Sequence, residues 1–137
     1  METRHATSVA VDGKALMILG PAGSGKSSLA LQMLALGAQL VADDRTIVTR
    51  EGGELVVSAP PAIAGLIEAH GLGILRAPLV DRAVLAAVID LTQAETERLP
   101  VPRFLSILGV DIPLYRHQKS DALAAALVVL LKHGRHA

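Results

Sequence analysis

The segment GPAGSGKS at residues 20–27 constrains the fold of this chain more than any other feature. It matches the pattern G-x-x-x-x-G-K-[ST] in full, with the apolar stretch ALMIL before it and helical spacing after it. Gly23 and Gly25 allow the backbone to wrap around phosphate oxygens, and the following helix adds the positive end of its dipole. Lys26 can reach the outer phosphates, and the Ser27 hydroxyl can bind Mg²⁺. The sequence therefore predicts a nucleotide site formed by Gly20, Pro21, Ala22, Gly23, Ser24, Gly25, Lys26 and Ser27.

Two adjacent carboxylates, Asp43 and Asp44, end the apolar stretch AQLVA soon after this loop. A phosphate-loop enzyme needs a carboxylate at the end of a strand to hold the metal and its water shell. Because strand side chains alternate between faces, a regular strand directs only one of the two at the phosphates. The other then turns toward Arg45, a backbone donor or His5. One carboxylate can act as a base toward an incoming hydroxyl; the alternative is a solvated strand end, where Asp is common.

The remaining patterns predict an α/β fold with a mixed, hairpin-rich sheet, in a single domain over residues 1–137. A helix follows the phosphate loop, with Leu29, Met33 and Leu36 on one side. The nearly all-apolar run AVLAAVID predicts a strand covered on both faces. Hairpin turns are predicted at Asp12-Gly13-Lys14, at Glu51-Gly52-Gly53 and at Gly109. Two more helices are predicted, one over residues 62–70 and one in the segment DALAAALVVLLKH. The second of these has Ser120 or Asp121 as its predicted N-cap.

Composition narrows the classes of function. The 13 basic and 13 acidic residues balance, so the basic surplus of a nucleic-acid binder is absent. The longest apolar run, at 122–131, is shorter than the roughly 20 residues of a membrane span, so we expect a cytoplasmic protein. The mean hydropathy of +0.46 is high for a small monomer, which favours a homo-oligomer. Phe104 and Tyr115 are the only aromatic residues, so we expect weak discrimination between nucleotide bases.

The order of the motifs resembles the catalytic domain of HPr kinase/phosphorylase. The resemblance is carried by GPAGSGKS, LVADDR at 40–45, SAP at 58–60 and IEAHGLGIL at 67–75. It is firm over residues 5–76 and looser beyond them, and the chain is similar to the short form that lacks the N-terminal domain of the longer enzymes. It implies an α/β nucleotide-binding fold related to phosphoenolpyruvate carboxykinase and assembled as hexamers.

The resemblance also implies an activity. The family uses ATP and Mg²⁺ to phosphorylate a serine of HPr, or of an HPr-like phosphocarrier, in regulation of the phosphotransferase system. It also implies the reverse reaction, in which inorganic phosphate attacks seryl-phosphorylated HPr and releases pyrophosphate.

Roles for individual residues come from the same resemblance. Asp44 matches the proton acceptor, which returns the proton in the reverse reaction, and His5 lies where the family has an active-site histidine. Arg98 lies where the family has a catalytic arginine. The implied catalytic residues are His5, Lys26, Asp44 and Arg98, and the implied metal ligands are Ser27, Asp43 and Glu68.

Two positions depart from the family pattern. The arginine of E-x-R-G is His70 here, so a side chain with a fixed positive charge is replaced by a histidine. The basic Pro-Gly-Arg-Asn-like loop that the family uses in dephosphorylation corresponds here to PLYRHQKS at 113–120, which retains positive charge but has no glycine. The sequence therefore supports the kinase reaction better than the reverse reaction.

Two other functions remain as alternatives. The first is a phosphate-loop kinase of small metabolites, in which Asp44 activates a substrate hydroxyl. Such enzymes usually close an arginine-rich lid over the nucleotide, whereas residues 51–97 contain only Arg76 and Arg82 and no lysine. The second is a regulator that senses ATP without transferring a phosphoryl group; simple binding would not require a base such as Asp44.

Overall fold

A mixed β-sheet forms most of the structure, and two helices pack against one of its faces. The computed structural model describes all 137 residues. The helices are α1 (Lys26–Ala35) and α2 (Leu123–His133), and a short 3₁₀ turn covers Pro61–Ile63. The strands are β1 (Glu2–Arg4), β2 (Ala6–Val11), β3 (Lys14–Leu19), β4 (Gln39–Ala42), β5 (Thr46–Glu51), β6 (Glu54–Ser58), β7 (Leu66–Ala69), β8 (Gly73–Arg76), β9 (Arg82–Ala94), β10 (Phe104–Ile107) and β11 (Val110–His117).

The long strand β9 joins the two halves of the main sheet. One of its edges pairs in parallel with β3, and the other pairs antiparallel with β6 near its start and in parallel with β11 further along. The strand order is β1-β5-β6-β9-β3-β2-β4, with β11 and its partner β10 attached through β9. Because β3, β9 and β11 are parallel, their carboxyl ends lie on the same side of the sheet. The predicted α/β fold with a mixed, hairpin-rich sheet is confirmed.

Each face of the central strands has its own hydrophobic core, because successive side chains point to opposite faces. Leu16 and Ile18 of β3 pack in the core beneath α1 and α2. Met17 of the same strand packs in the second core, with residues of β5, β6, β10 and β11. Ile89 and Val88 of β9 divide between the two cores in the same way. The prediction that AVLAAVID is covered on both faces is therefore correct.

The three predicted hairpins are present. The β2–β3 turn has positive φ at both central residues, 52° at Asp12 and 77° at Gly13. Tight two-residue hairpins require this geometry, because it matches the twist of the paired strands. The β5–β6 turn lies at Gly52-Gly53, and the β10–β11 turn lies at Leu108-Gly109. The turn residues therefore predict three strand pairs correctly from local sequence: β2–β3, β5–β6 and β10–β11.

The helix predicted over residues 62–70 is wrong. The 3₁₀ turn is followed there by β7, which forms a separate two-stranded sheet with β8. Ile67 and Ala69 are buried, whereas Glu68 and His70 are exposed. This alternation has the period of a strand, and pairing with β8 satisfies the backbone hydrogen bonds that a helix would have made internally. Glu68 is therefore presented by a strand.

The two helices differ from their predicted limits in detail. Leu29 and Met33 of α1 are buried as predicted, but Leu36 is half exposed because the helix ends before it. The N-cap of α2 is Ala122, so the predicted caps were wrong. Ser120 instead closes the preceding turn, where its hydroxyl oxygen accepts a hydrogen bond from the Ala122 N–H at 3.1 Å. Neither helix combines the length and the hydrophobicity that crossing a membrane requires.

An ion pair between Glu95 and Arg103 holds the segment that connects β9 to β10. The Glu95 side chain is only 3% exposed, and it also accepts hydrogen bonds from the backbone N–H groups of Thr96 and Glu97. The hydrogen bond from the Arg103 side chain is the main cause that lowers the pKa of the Glu95 carboxyl below its usual value of 4.5.

We expect this pair to make stability depend on pH. A carboxyl whose pKa is lowered by folding stabilises the folded state above its unfolded pKa, near 4.5. The stabilisation is thus fully present at neutral pH and is lost as the pH falls through the folded pKa. In urea unfolding, Glu95→Gln should lower the unfolding midpoint at neutral pH. The midpoint of this variant should also fall less than that of the wild-type protein as the pH is lowered. Glu97→Gln is the matched control, and an equal effect of both changes would contradict the assignment.

Candidate active site

The phosphate loop fills the turn between β3 and α1, where the sequence predicts it. Gly25 is the N-cap of α1 and has a φ of 98°, in the left-handed region that favours glycine. A Cβ on Gly20 would lie 2.3 Å from Ser24 Oγ, so the loop closes too tightly there for a side chain. No side chain caps α1, and its first turn contains no acidic residue. Its first backbone N–H groups are therefore able to bind an anion.

Lys26 is folded over this loop. Its Nζ donates hydrogen bonds to the carbonyl oxygens of Gly20 at 2.7 Å and Pro21 at 3.2 Å. The side chain is 5% exposed, and its ammonium lies 3.8 Å from Asp44 Oδ1. A positive charge is thus held between the phosphate loop and the second aspartate.

The carboxylate of Asp43 connects three elements. Its Oδ1 accepts hydrogen bonds from Ser27 Oγ of α1 at 2.7 Å and from Thr7 Oγ1 of β2 at 3.0 Å. Its Oδ2 accepts a hydrogen bond from the backbone N–H of Glu68 in β7 at 3.0 Å. Asp43 therefore holds the Ser27 side chain close to the backbone of Glu68.

Thr7 is a residue of the site that the sequence reasoning missed. It is fully buried, and its hydroxyl donates to Asp43 and accepts a hydrogen bond from the Asp44 N–H at 3.1 Å. One hydroxyl therefore positions both aspartates. The signal available in the sequence was its spacing: Thr7 lies two residues after His5 in an apolar segment, on the same side of an extended chain.

Asp44 lies in a tight turn immediately after β4. The Arg45 N–H donates to the Asp43 carbonyl oxygen at 2.7 Å, which closes a three-residue turn centred on Asp44, whose φ is 65°. Because the strand is not regular here, both carboxylates face the same cavity. Asp44 Oδ1 lies 2.5 Å from His5 Nε2. His5 is one of the three partners predicted for the aspartate that turns aside. More than half of the Asp44 side chain is exposed, so an acceptor can approach it.

One cavity of about 330 Å³ is lined by nine of the thirteen predicted site residues; Gly20, Pro21, Ser24 and Arg98 do not line it. Its lining also includes His70, which replaces the arginine of the family pattern. The predicted residues that line the cavity include His5, Lys26, Ser27, Asp43, Asp44 and Glu68.

The chemistry of the three predicted metal ligands fits Mg²⁺, since a hydroxyl and two carboxylates supply hard oxygen atoms. No cluster of three or more acidic or histidine side chains forms a metal site by itself. Mg²⁺ sites in nucleotide enzymes commonly combine one or two carboxylates with phosphate oxygens and water, and this donor set is consistent with such a site.

Arg98 is the one predicted catalytic residue that the structure does not bring to this cavity. It lies on the exposed segment after β9 and forms no hydrogen bond or ion pair. Its role stays a prediction.

Comparison with known proteins gives the same family on two grounds. The family model of the HPr serine kinase C-terminal domain matches residues 1–118. The HPr kinase/phosphorylase of Prosthecochloris aestuarii is 33% identical over 80% of this chain, and that of Cupriavidus metallidurans is 32% identical over 93% of it. The chain spans 36% and 43% of the lengths of these two relatives.

A solved structure matches the fold. The HPr(Ser) kinase/phosphatase from Coxiella burnetii superposes with a TM-score of 0.80 at 27% identity, covering 96% of this chain and 95% of that one. The family model thus matches most of the chain, and the fold agrees with it. This chain belongs to the HPr serine kinase C-terminal domain family.

Proposed function

We propose that this protein transfers the γ-phosphoryl group of ATP to a serine of HPr or of an HPr-like phosphocarrier. One observation carries the proposal: Asp44 lies beside Lys26 of the phosphate loop, is hydrogen-bonded to His5, and is more than half exposed. Simple nucleotide binding does not need an accessible carboxylate at this point. A transfer reaction needs one, because the acceptor hydroxyl must lose its proton.

The proposed reaction assigns a step to each group. The N–H groups at the start of α1 and the ammonium of Lys26 bind the phosphates and stabilise charge on the transferred group. The serine oxygen attacks the γ-phosphorus, its proton passes to an oxygen of Asp44, and the bond to the leaving ADP breaks. His5 orients the Asp44 carboxylate through their hydrogen bond at 2.5 Å.

Ser27, Asp43 and Glu68 would hold Mg²⁺ in this reaction. The ion, when bound, neutralises charge on the phosphates during transfer. In the structure the Ser27 hydroxyl donates to Asp43 at 2.7 Å, so the two residues lie close enough to act on one ion. Arg98 can contribute only if residues 95–103 move or if a second copy of the chain supplies it.

Phosphorolysis is the second reaction that we propose, on weaker grounds. Phosphate would attack the seryl phosphate, the serine would regain its proton from Asp44, and pyrophosphate would leave. The names of the relatives, kinase/phosphorylase, favour this reaction. The absence of glycine from the segment at 113–120 disfavours it, so the kinase reaction is the principal proposal.

We further propose that the protein acts in the cytoplasm as a homo-oligomer, with the hexamer of the resembled family as the expected assembly. Large apolar side chains remain exposed on the β7–β8 hairpin and near β10, including Leu72 (82%), Val101 (71%) and Phe104 (58%). Such residues are suited to an interface between subunits.

The two alternative functions predict different results. A metabolite kinase would transfer label from ATP to small hydroxyl compounds rather than to HPr. A sensor would bind ATP and transfer nothing. The strained, solvent-accessible position of Asp44 disfavours the sensor, because nothing in binding alone would maintain it.

Asp44→Asn should separate binding from transfer. Because the amide cannot accept the proton, we expect transfer to HPr to fall about 10²- to 10⁴-fold while ATP affinity is retained. Transfer of labelled phosphate and calorimetric ATP binding measure the two quantities. The exposed Asp81→Asn is the matched control and should change neither. Unchanged transfer in Asp44→Asn would remove Asp44 from the mechanism.

Thr7→Val should act as a positioning change. Loss of the hydroxyl leaves the Asp44 N–H without its partner and frees one side of Asp43, so we expect kcat to fall about 10²-fold with little change in ATP affinity. Thr7→Ser should restore kcat. Ser8→Ala removes a neighbouring buried hydroxyl that bonds Thr46 instead, and it should lower only stability. Equal losses of kcat in both variants would indicate a merely structural role for Thr7.

A further inference from the structure

Two further cavities meet beside residues 134–137, which follow α2. The larger, of about 400 Å³, lies between this segment and residues of β10 and β11. The smaller, of about 220 Å³, reaches from there to Lys14 at the start of β3. Tyr115 and Arg135 line both cavities, so they form one groove, which we call the tail groove. No residue of the tail groove lines the catalytic cavity.

We propose that the tail groove is a binding site for a small aromatic carboxylate. The planar ring of the ligand lies against the aromatic and proline rings of the wall, and its carboxylate binds Arg135. The larger cavity has a volume within the range of about 300–1,000 Å³ that is typical of small-molecule sites. The groove contains no residue of the phosphate loop and no predicted metal ligand, so the proposal does not depend on the proposed transfer reaction.

Both aromatic residues of the chain lie in this groove. The sequence contains one phenylalanine, one tyrosine and no tryptophan. Phe104 of β10 pairs with Pro113 of β11, and Tyr115 lies two residues further along the same strand. Because side chains two residues apart point to the same face of a strand, the three rings lie side by side on one face. They provide a flat apolar surface against which a planar ring can stack.

Packing within the protein does not explain the position of Phe104. The buried hydrophobic residues include no aromatic ring, and Phe104 is 58% exposed. An aromatic ring contributes a large area to hydrophobic burial, so leaving it in water forgoes stability that the core could have gained. A ligand that covers the ring restores this burial. Of Leu72, Val101 and Phe104, the apolar side chains suited to subunit contacts, only Phe104 lines the groove.

The charged groups around these rings favour an anion. Lys14, Arg103 and Arg135 line the groove, and no aspartate or glutamate side chain does. Arg103 is paired with Glu95, whereas Lys14 and Arg135 form no ion pair, not even with the terminal carboxylate of Ala137. A guanidinium binds a carboxylate through two parallel hydrogen bonds, so Arg135 is suited to the charged group of the ligand.

Two contacts shape the groove before any ligand binds. Gly134 follows the last turn of α2 with a φ of 78°, and its N–H donates to the Leu130 carbonyl oxygen at 2.8 Å. This left-handed conformation ends the helix and turns the chain aside. The Arg135 guanidinium then donates to the carbonyl oxygen of Pro100. A guanidinium has five N–H groups, so others remain available to a ligand.

Intrinsic fluorescence tests the proposal, because Tyr115 is the only tyrosine and the chain has no tryptophan. The emission of the protein therefore reports on the groove alone. The probe is phenylacetate, which should change this emission to saturation. Acetate lacks the ring and phenylethylammonium reverses the charge, so each should bind at least about tenfold more weakly. No saturable change with phenylacetate, or equal affinity for either of the other two compounds, overturns the inference.

Two variants with matched controls locate the probe. Arg135→Gln should weaken phenylacetate binding about tenfold, because it removes the charged partner. Lys132→Gln removes an exposed cation in the last turn of α2, outside the groove, and should not. Phe104→Ala should weaken binding by a similar factor, whereas Val101→Ala, at an exposed apolar position outside the groove, should not. Unchanged affinity in Arg135→Gln or in Phe104→Ala, or an equal loss in its control, overturns the inference.

Amide chemical shifts provide a test that needs no variant. Phenylacetate should shift the signals of residues 103–104, 114–115 and 134–136; shifts confined to other residues, or none, overturn the inference. A change of Tyr115 emission on dilution of the free protein would mean that a second copy of the chain covers the groove, and it would also overturn it. None of these measurements involves ATP or HPr. A protein that binds phenylacetate here but does not phosphorylate HPr would refute the proposed function and leave this site standing.

Discussion

The carboxylate of Asp43 is the group on which the rest of the site depends. It accepts hydrogen bonds from β2, α1 and β7, through Thr7, Ser27 and the backbone of Glu68. Hydrogen bonds to an ionised acceptor are stronger than neutral ones, so this one residue fixes the edge of the sheet, the phosphate-binding helix and a separate hairpin relative to each other. The catalytic cavity lies where these three elements meet.

Asp44 contributes what Asp43 cannot, an accessible carboxylate next to the phosphate loop. A non-glycine residue in a strained turn costs on the order of 1–3 kcal/mol and persists only where its surroundings hold it. The Thr7 hydroxyl holds its N–H, and His5 holds its side chain. A relaxed strand end would give a more stable fold than this strained turn. A role of Asp44 in the reaction therefore explains its position better than a contribution to stability does.

Much of the fold could be predicted because its signals are local. The phosphate loop, the hairpin turns and the apolar strand β9 each depend on residues that are close in the sequence. The β7 segment was misassigned because a short apolar run fits a helix or a strand, and pairing with β8 decides between them. Thr7 was missed because its partner Asp43 is distant in sequence and is brought to it only by the pairing of β2 with β4. The position of Arg98 likewise depends on a long connection, for which the sequence gives no geometry.

We propose that this chain is a protein serine kinase that acts on HPr. The most direct test of this proposal is the intact mass of HPr after incubation with the purified protein, Mg²⁺ and ATP, measured before and after acid treatment. Our account predicts the gain of one phosphoryl group that survives the acid, because a phosphoserine ester is stable under conditions that hydrolyse phosphohistidine. The account would be contradicted if HPr from the same cell gained no mass although the purified protein binds ATP.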